Sequence, residues 1–264
     1  MQKVFIFGLL FLTLSCGHFR KFEKSQDWRI KYEAGLNYYS QKEYYRTSVL
    51  FEQILPIVRG LPEGEKVQFY LAYSYFYQKQ YLIGSEHFKT FFETYGRSTL
   101  AEEARYQYAY SLYLSSPDFN LDQTSSIQAM AAMQEFLNRF PNSSFREKSI
   151  EVITTIQEKL EKKGFENARQ YYKMRWYNAG IVALNNFKNN FPDSKYLEEA
   201  YFLVVACEYK LAQQSVPSKQ LPRYQSVLGD YKEFIDRFPE SEFGKEAEKY
   251  YLDSMAWINK NNNS

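Results

Sequence analysis

The side chains that most often carry catalysis or bind metals are few in this chain. It has two histidines, His18 and His87, and two cysteines, Cys16 and Cys207. A metal site needs several such ligands close together, and a nucleophilic cysteine needs a histidine as its base. His18 lies in a polar stretch, and His87 has no second histidine or free cysteine near it in the sequence. We therefore expect no enzyme active site, no metal and no cofactor.

Cys16 is the residue whose chemistry the sequence does indicate. Residues 1–15 have the form of a secretory signal peptide, in which Lys3 precedes an apolar stretch that is too short to span a bilayer. The stretch ends in Leu-Thr-Leu-Ser-Cys, which resembles the bacterial lipobox, although Thr13 stands where leucine is usual. We expect acyl chains such as palmitate on Cys16, which together anchor a protein stably. An ordinary signal peptide with a chance cysteine is the alternative.

One ten-residue phrase recurs along the rest of the chain. It is FLNRFPNSSF at 136–145, FKNNFPDSKY at 187–196 and FIDRFPESEF at 234–243, with a weaker copy, FFETYGRSTL, at 91–100. In each copy two aromatic residues share a helix face, and Pro or Gly then stops the helix. A serine just beyond is suited to cap the next helix. A repeated helix–stop–helix unit is the signature of an α-solenoid.

Five helix pairs follow from the apolar periodicity between these stops. Each helix of a pair has a small residue at a matching register, which lets the two helices approach closely. These positions are Gly35, Ala72, Ala109, Ala168 and Ala206 in the first helices, and Thr47, Gly84, Ala129, Gly180 and Val227 in the second. The frame is similar to the tetratricopeptide repeat, in which a unit has about 34 residues.

We therefore predict an all-α tetratricopeptide-repeat solenoid with an extra helix between repeats 3 and 4 and a C-terminal capping helix. The expected parts are a lipid-anchored tether at 16–26, repeats 1–3 at 27–140, a linking helix with repeats 4–5 and the capping helix at 141–259, and a polar tail at 260–264. The linking helix, 144–162, is expected to be separate from the helix that starts at Phe165. The net charge of +2, with acids and bases interspersed, predicts no nucleic-acid binding.

With the repeats in place, the whole chain resembles the family of the outer-membrane assembly factor BamD, in a Bacteroidetes-like version. The resemblance rests on the lipobox, the five repeats, the Phe-Pro-x-Ser phrases, the extra helix, and the stretch AEEARYQYAY at 101–110. It implies a lipid-anchored outer-membrane protein on the periplasmic face. It also implies two partners, the periplasmic domains of the barrel-shaped insertase BamA and unfolded outer-membrane barrel precursors.

The first candidate binding surface is a set of aromatic residues on the first helices of repeats 1–3, which line the concave side of such solenoids. Tyrosine offers apolar area, a polar tip and little entropy loss, which suits an extended peptide. The resemblance suggests the aromatic-rich C-terminal strands of barrel precursors as the ligand. For Phe69, and for Phe76 on the same helix face, core packing is an equal alternative. The candidates are Tyr32, Tyr39, Phe69, Tyr73, Tyr77, Tyr106, Tyr110 and Tyr113.

The second candidate surface is a basic cluster in and before repeat 4, where charge would orient the docked insertase. Its residues are Lys162, Lys163, Arg169, Lys173 and Arg175. Glutamates are interleaved with them, so a solvated helix face is the simpler interpretation. Two other functions stay open at this point. One is a periplasmic repeat lipoprotein that organises cell-wall or division machinery, and the other is a surface nutrient-binding lipoprotein.

Overall fold

The computed structural model describes residues 18–262, and it is all-helical with no strand in that range. The signal segment and Cys16 lie outside the described residues. No described helix is long and apolar enough to cross a membrane. The main helices are α1 (Trp28–Ser40), α2 (Tyr44–Val58), α3 (Pro62–Tyr77), α4 (Tyr81–Thr94), α5 (Ala101–Ser115), α6 (Thr124–Arg139), α7 (Arg146–Lys173), α8 (Tyr177–Asn190), α9 (Leu197–Gln213), α10 (Pro217–Arg237) and α11 (Gly244–Asn262).

The chain divides into two compact units, one ending at Ile156 and the other beginning at Gln157. In the first unit, each helix from α1 to α6 packs on the next one along the chain. In the second unit, α9 packs on both α8 and α10, and α11 covers α10 and part of α9. This sequential packing of helix pairs is the arrangement expected of a tetratricopeptide-like solenoid.

The small residues at the matching registers lie where paired helices approach each other, and all ten of them are buried. The hydroxyl of Thr47 donates a hydrogen bond to the carbonyl oxygen of Gly35 at 3.3 Å. A β-carbon on Gly84 would lie 3.4 Å from the carbonyl oxygen of Ala72. The frame of small residues predicted from the sequence is therefore confirmed.

The repeated phrase forms the same turn in all four copies. In each copy the backbone N–H of the second aromatic donates to the carbonyl of the first, at 2.7–2.9 Å. The sequence predicts that the serine caps the next helix, but its hydrogen bond lies within the turn that precedes that helix. Its hydroxyl oxygen accepts a hydrogen bond from the backbone N–H two residues on, at 3.0–3.2 Å, and so closes the turn itself. The four serines are Ser98, Ser143, Ser194 and Ser241.

In the three strong copies, the last residue of the phrase ties the turn to the helix pair before it. The ring of Phe145 stacks on Tyr106 of α5, with centroids 4.3 Å apart. Tyr196 stacks in the same way on Phe165 of α7 at 4.9 Å. Phe243 stacks on Phe202 of α9 at 4.8 Å. The phrase therefore sets both the end of one helix and the position of the next.

Three turns inside helix pairs use a non-glycine residue with left-handed backbone geometry. Lys42, Lys79 and Arg175 have φ angles of 61°, 60° and 62°. They belong to the three pairs whose small residues are twelve positions apart in the sequence. This conformation costs an L-residue about 1–2 kcal/mol, because its β-carbon crowds the following carbonyl oxygen. The packing of the paired helices offsets that cost.

The linking helix predicted at 144–162 is not a separate element. It continues through Gly164 as the first helix of repeat 4, so that α7 is a single helix of 28 residues. A glycine inside a helix costs only about 1 kcal/mol relative to alanine and does not stop it. Here the missing side chain makes room, since a β-carbon on Gly164 would lie 3.0 Å from the ring of Phe191.

Two further boundaries differ from the prediction. The apolar periodicity predicts a start at Arg223 for the second helix of repeat 5. α10 instead begins at Pro217, since position N1 of a helix favours proline, and it continues through Pro222. The capping helix α11 extends to Asn262, so the expected polar tail is partly helical. At the other end, residues 18–23 of the expected tether are helical and pack on α1, where Phe19 lies against Tyr38.

Candidate functional site

The eight aromatic candidates separate into buried and accessible groups. Phe69, Tyr73 and Tyr106 are only 6%, 7% and 3% exposed. Tyr77 is 47% exposed, and the other four are half-buried. The half-buried residues are Tyr32, Tyr39, Tyr110 and Tyr113. Side chains of the first group have almost no surface to offer a ligand, and they serve the packing of the first unit.

Tyr73 holds α3 against its neighbours. Its ring meets the edge of Phe88 with centroids 5.0 Å apart. Its hydroxyl donates a hydrogen bond to the carboxylate of Glu103 in the first turn of α5. Burial, reinforced by that carboxylate, raises the pKa of Tyr73 well above its ordinary value. The phenol is therefore a neutral donor that joins two successive repeats.

Tyr106 and Phe69 are covered in a similar way. The stacked ring of Phe145 closes over Tyr106, and burial raises the pKa of Tyr106 to about 12. Phe69 lies among the rings of α4, with its centroid 5.2 Å from that of Phe91. The sequence placed these three residues on the correct helices, but the neighbouring elements cover them.

The accessible rings form a continuous row in the first unit. Tyr77 stacks on Tyr44 with centroids 4.5 Å apart, and its ring lies 5.6 Å from that of Phe76. Phe76 lies 6.2 Å from Tyr110, which lies 5.9 Å from Tyr113. We call these five residues the aromatic row. Tyr44 was not among the candidates, although its position as the first residue of α2 repeats the aromatic at the start of α4.

A cleft of about 190 Å³ lies at one end of the aromatic row. Tyr110 and Tyr113 form one wall, and Lys148, Glu151 and nearby residues of α7 form the other. Burial raises the pKa of Tyr110, so its hydroxyl is neutral and can both donate and accept hydrogen bonds. The arrangement suits non-covalent binding of a chain segment that is apolar along the row and polar at its end.

The basic candidates of repeat 4 do not form one continuous patch of equivalent charges. Arg169 makes ion pairs with Glu166 at 3.1 Å and with Glu199 of α9 at 3.2 Å. Lys173 also reaches Glu166, at 3.7 Å. Lys162 and Arg175 are exposed, and Lys163 is half-buried. Arg169 and Lys173 thus balance glutamates of the same unit, and docking of a partner there stays a prediction.

The side chains of His87 and Cys207 pack against their neighbours and are not grouped with each other. The imidazole of His87 stacks on Tyr75 at 5.1 Å, and burial lowers the pKa of His87. Cys207 is fully buried, and burial raises the pKa of its thiol to about 12. Within residues 18–262, no group of three or more His, Cys, Asp or Glu side chains could hold a metal ion.

Comparison with known proteins gives two findings. A family model described as "Outer membrane lipoprotein" and designated YfiO matches residues 25–220 and, in a second match, residues 161–260. Together these matches extend from just before α1 almost to the end of α11. The chain is also 24% identical over 201 residues to the outer membrane protein assembly factor BamD of Rickettsia prowazekii (strain Madrid E). That alignment covers 75% of this chain and 77% of the relative.

Proposed function

Because the chain belongs to the YfiO family of outer membrane lipoproteins, we propose that it is a scaffold in the assembly of outer-membrane β-barrel proteins. The observation that carries this proposal is the family match across all five helix pairs. The relative that is named as an assembly factor supports it. In this proposal acyl chains on Cys16 hold the protein at the periplasmic face of the outer membrane, and its partners bind non-covalently.

The aromatic row is the proposed site for unfolded barrel precursors. Alternate side chains of an extended strand point to the same face and lie about 6.4–6.8 Å apart. Neighbouring rings of the row are separated by 4.5–6.2 Å. A strand with aromatic residues at alternate positions could therefore place one side chain near each ring. The rings of the row already contact one another, so little side-chain entropy would be lost on binding.

Removal of Tyr77 and Tyr110 tests this site. The affinity of a fluorescent C-terminal strand peptide from a barrel precursor would be measured by anisotropy. We expect Tyr77→Ala with Tyr110→Ala to weaken binding at least about tenfold, since each central tyrosine anchor contributes more than about 1 kcal/mol. The matched control is Tyr45→Ala, because Tyr45 is 67% exposed and lies outside the row. Unchanged affinity in the double variant would exclude the row as the precursor site.

The periplasmic domains of a BamA-type insertase are the second proposed partner, and the exposed basic residues of α7 and its following turn are the proposed contact. Lys162→Glu with Arg175→Glu should abolish capture of those domains, while peptide affinity stays unchanged. Lys245→Glu with Lys249→Glu is the control, since both lysines are exposed on α11. Equal capture by the two variants would remove the basic cluster from the proposal and leave the aromatic row untouched.

A further inference from the structure

The first described segment, which begins two residues after Cys16, packs on the first helix pair. Residues 18–23 are helical, and Phe19 and Phe22 point toward Tyr38 of α1. Their rings meet the Tyr38 ring edge-on at 5.7 and 6.2 Å. The guanidinium of Arg46 lies 5.7 Å over the Phe19 ring from the side of α2. These contacts fix the segment to the repeat.

The connection from this segment to α1 is also tight. The backbone N–H of Ser25 donates to the carbonyl oxygen of Phe22 at 3.1 Å. The hydroxyl oxygen of Ser25 accepts a hydrogen bond from the N–H of Asp27 at 3.2 Å. The Asp27 carboxylate then caps α1 by accepting from the N–H of Arg29 at 2.9 Å. Four residues thus join the two helical segments without a flexible linker.

The other side of the segment is basic and exposed. Arg20, Lys21 and Lys24 are all exposed. Helical periodicity puts Arg20 and Lys21 on the side opposite the two phenylalanines, and Lys24 follows in the turn. The acidic Glu23 between them is half-buried. We call the three exposed residues the basic face. Arg29, which lies over the Trp28 ring with 4.6 Å to the centroid, adds a further positive charge at the start of α1.

Chain length limits how far the start of this segment can lie from the anchor. His18, the first described residue, is two positions from Cys16, and two residues span at most about 7 Å in any conformation. We propose that the basic face, whose segment packs on α1 two residues after Cys16, binds anionic phospholipid headgroups of the membrane that carries the anchor. This proposal rests on the proposed acylation of Cys16. It places the first helix pair at the bilayer surface.

The strength of this contact follows from surface electrostatics. Each Lys or Arg near an anionic membrane strengthens binding about fivefold. The attraction acts within a Debye length, which is about 8 Å at physiological ionic strength. Arg20 and Lys21 follow His18 by only about 3–5 Å of helix rise, so their long side chains stay close to a membrane surface that holds the anchor. Three such charges should give a preference for anionic membranes that high salt abolishes.

The first test uses the mature, full-length protein in vesicles of phosphatidylcholine, with or without phosphatidylglycerol. Intact mass shows whether Cys16 carries acyl chains. Mass spectrometry then follows acetylation of individual lysines by an amine-reactive reagent. We expect Lys21 and Lys24 to react at least fivefold more slowly in the anionic vesicles, and high salt should restore their rates. Lys245 and Lys249 should react equally in both. Equal rates for Lys21 and Lys24 would overturn the proposal.

The second test separates the basic face from the anchor. A mature protein that begins at position 16 and carries Cys16→Ser, and so has no acyl chains, should sediment with phosphatidylglycerol vesicles. Adding Arg20→Ser, Lys21→Ser and Lys24→Ser should weaken that binding at least tenfold. A control that changes charge equally carries Lys232→Ser, Lys245→Ser and Lys249→Ser, and it should bind as before.

The two arms distinguish failure of the anchor from failure of the basic face. If the mature protein is unacylated but still binds the vesicles, acylation of Cys16 is refuted and lipid binding by the basic face is supported. If the protein is acylated but its lysines react equally with and without anionic lipid, lipid binding by the basic face is refuted and the anchor is supported. Equal losses in the basic-face variant and its control would show a general effect of net charge, and this would also overturn the proposal.

Discussion

The sulfur of Cys207 lies 3.0 Å from the point that a β-carbon on Gly180 would occupy. α8 and α9 can approach this closely only because position 180 has no side chain. We therefore expect Gly180→Leu to lower the free energy of unfolding by about 1–3 kcal/mol, as overpacking does. Urea unfolding would measure the change.

The matched control for Gly180→Leu is Gly229→Leu on α10. A β-carbon on Gly229 would have no heavy atom within 4 Å. Leucine favours a helix over glycine by nearly 1 kcal/mol, so this variant should be as stable as the parent or more stable. Equal destabilisation of both variants would refute the steric explanation.

Lys79, a turn residue with left-handed backbone geometry, should respond to replacement by glycine in the opposite way from a residue inside a helix. Glycine adopts positive φ without steric cost, so Lys79→Gly should leave stability unchanged or raise it by up to about 1 kcal/mol. Lys79→Val should lower it, because a β-branched residue is strongly disfavoured there. Lys66→Gly, at an exposed position inside α3, is the control and should cost about 1 kcal/mol. If Lys79→Gly costs as much as Lys66→Gly, the turn is not under strain.

Two carboxyl groups in the second unit predict a dependence of stability on pH. Burial raises the pKa of Glu208 from 4.5 to about 7 and that of Asp230 from 3.8 to about 6. The charge of Asp230 reinforces the shift at Glu208, while Arg223 opposes it. At Asp230, Glu233 reinforces the shift and Lys188 opposes it. Between about pH 4 and 7 the folded state therefore binds more protons than the unfolded state, and these groups make stability fall as pH rises.

Replacement of both carboxyl groups by neutral amides should remove this loss of stability at high pH. We expect Glu208→Gln with Asp230→Asn to raise the melting temperature at pH 8 by a few degrees and to flatten its decline between pH 5 and 8. Calorimetry across this range would show both effects. The control is Asp236→Asn with Glu240→Gln, two exposed residues of the same unit. A decline in the double variant at least as steep as that of the parent would contradict the assigned cause.

The proposed anchor predicts a change in fractionation. Cys16→Ser should move the protein from the membrane pellet to the soluble fraction when the membranes are washed in high salt, because the acyl chains would have no attachment point and salt screens the attraction of the basic face. Cys207→Ala removes the other, buried thiol and should leave the protein in the pellet. Mass spectrometry of the N-terminal peptide would identify the modified residue. An unmodified N-terminus at another position would refute acylation at Cys16.

Much of the fold could be predicted because it depends on residue patterns within short stretches of the sequence. A small residue at positions such as Ala72 and Gly84 is needed wherever two helices approach closely, and this leaves a visible spacing in the sequence. The continuity of α7 could not be predicted in the same way. Whether a chain bends at Gly164 depends on contacts with Phe187 and Phe191, which come from a different helix.

The aromatic surface was predicted only in part. Helical periodicity gives the face on which Tyr73 and Tyr106 lie, but it cannot show what covers that face. Phe88 and Glu103 cover Tyr73, and Phe145 covers Tyr106. The recurring aromatic at the end of each phrase was a signal for this covering, since it occupies the same position in all three strong copies of the phrase.

The two kinds of turn also differ in how they can evolve. The connection between helix pairs has a fixed length, because the number of residues from Phe140 to Phe145 decides whether the Phe145 ring reaches Tyr106. The connection inside a pair has no such fixed length. Between α5 and α6 it contains eight residues, whereas the turn that contains Lys79 has three. Foreign sequence spliced between α5 and α6 would leave every repeat in register. The same insertion after Phe140 would uncouple the repeats on either side.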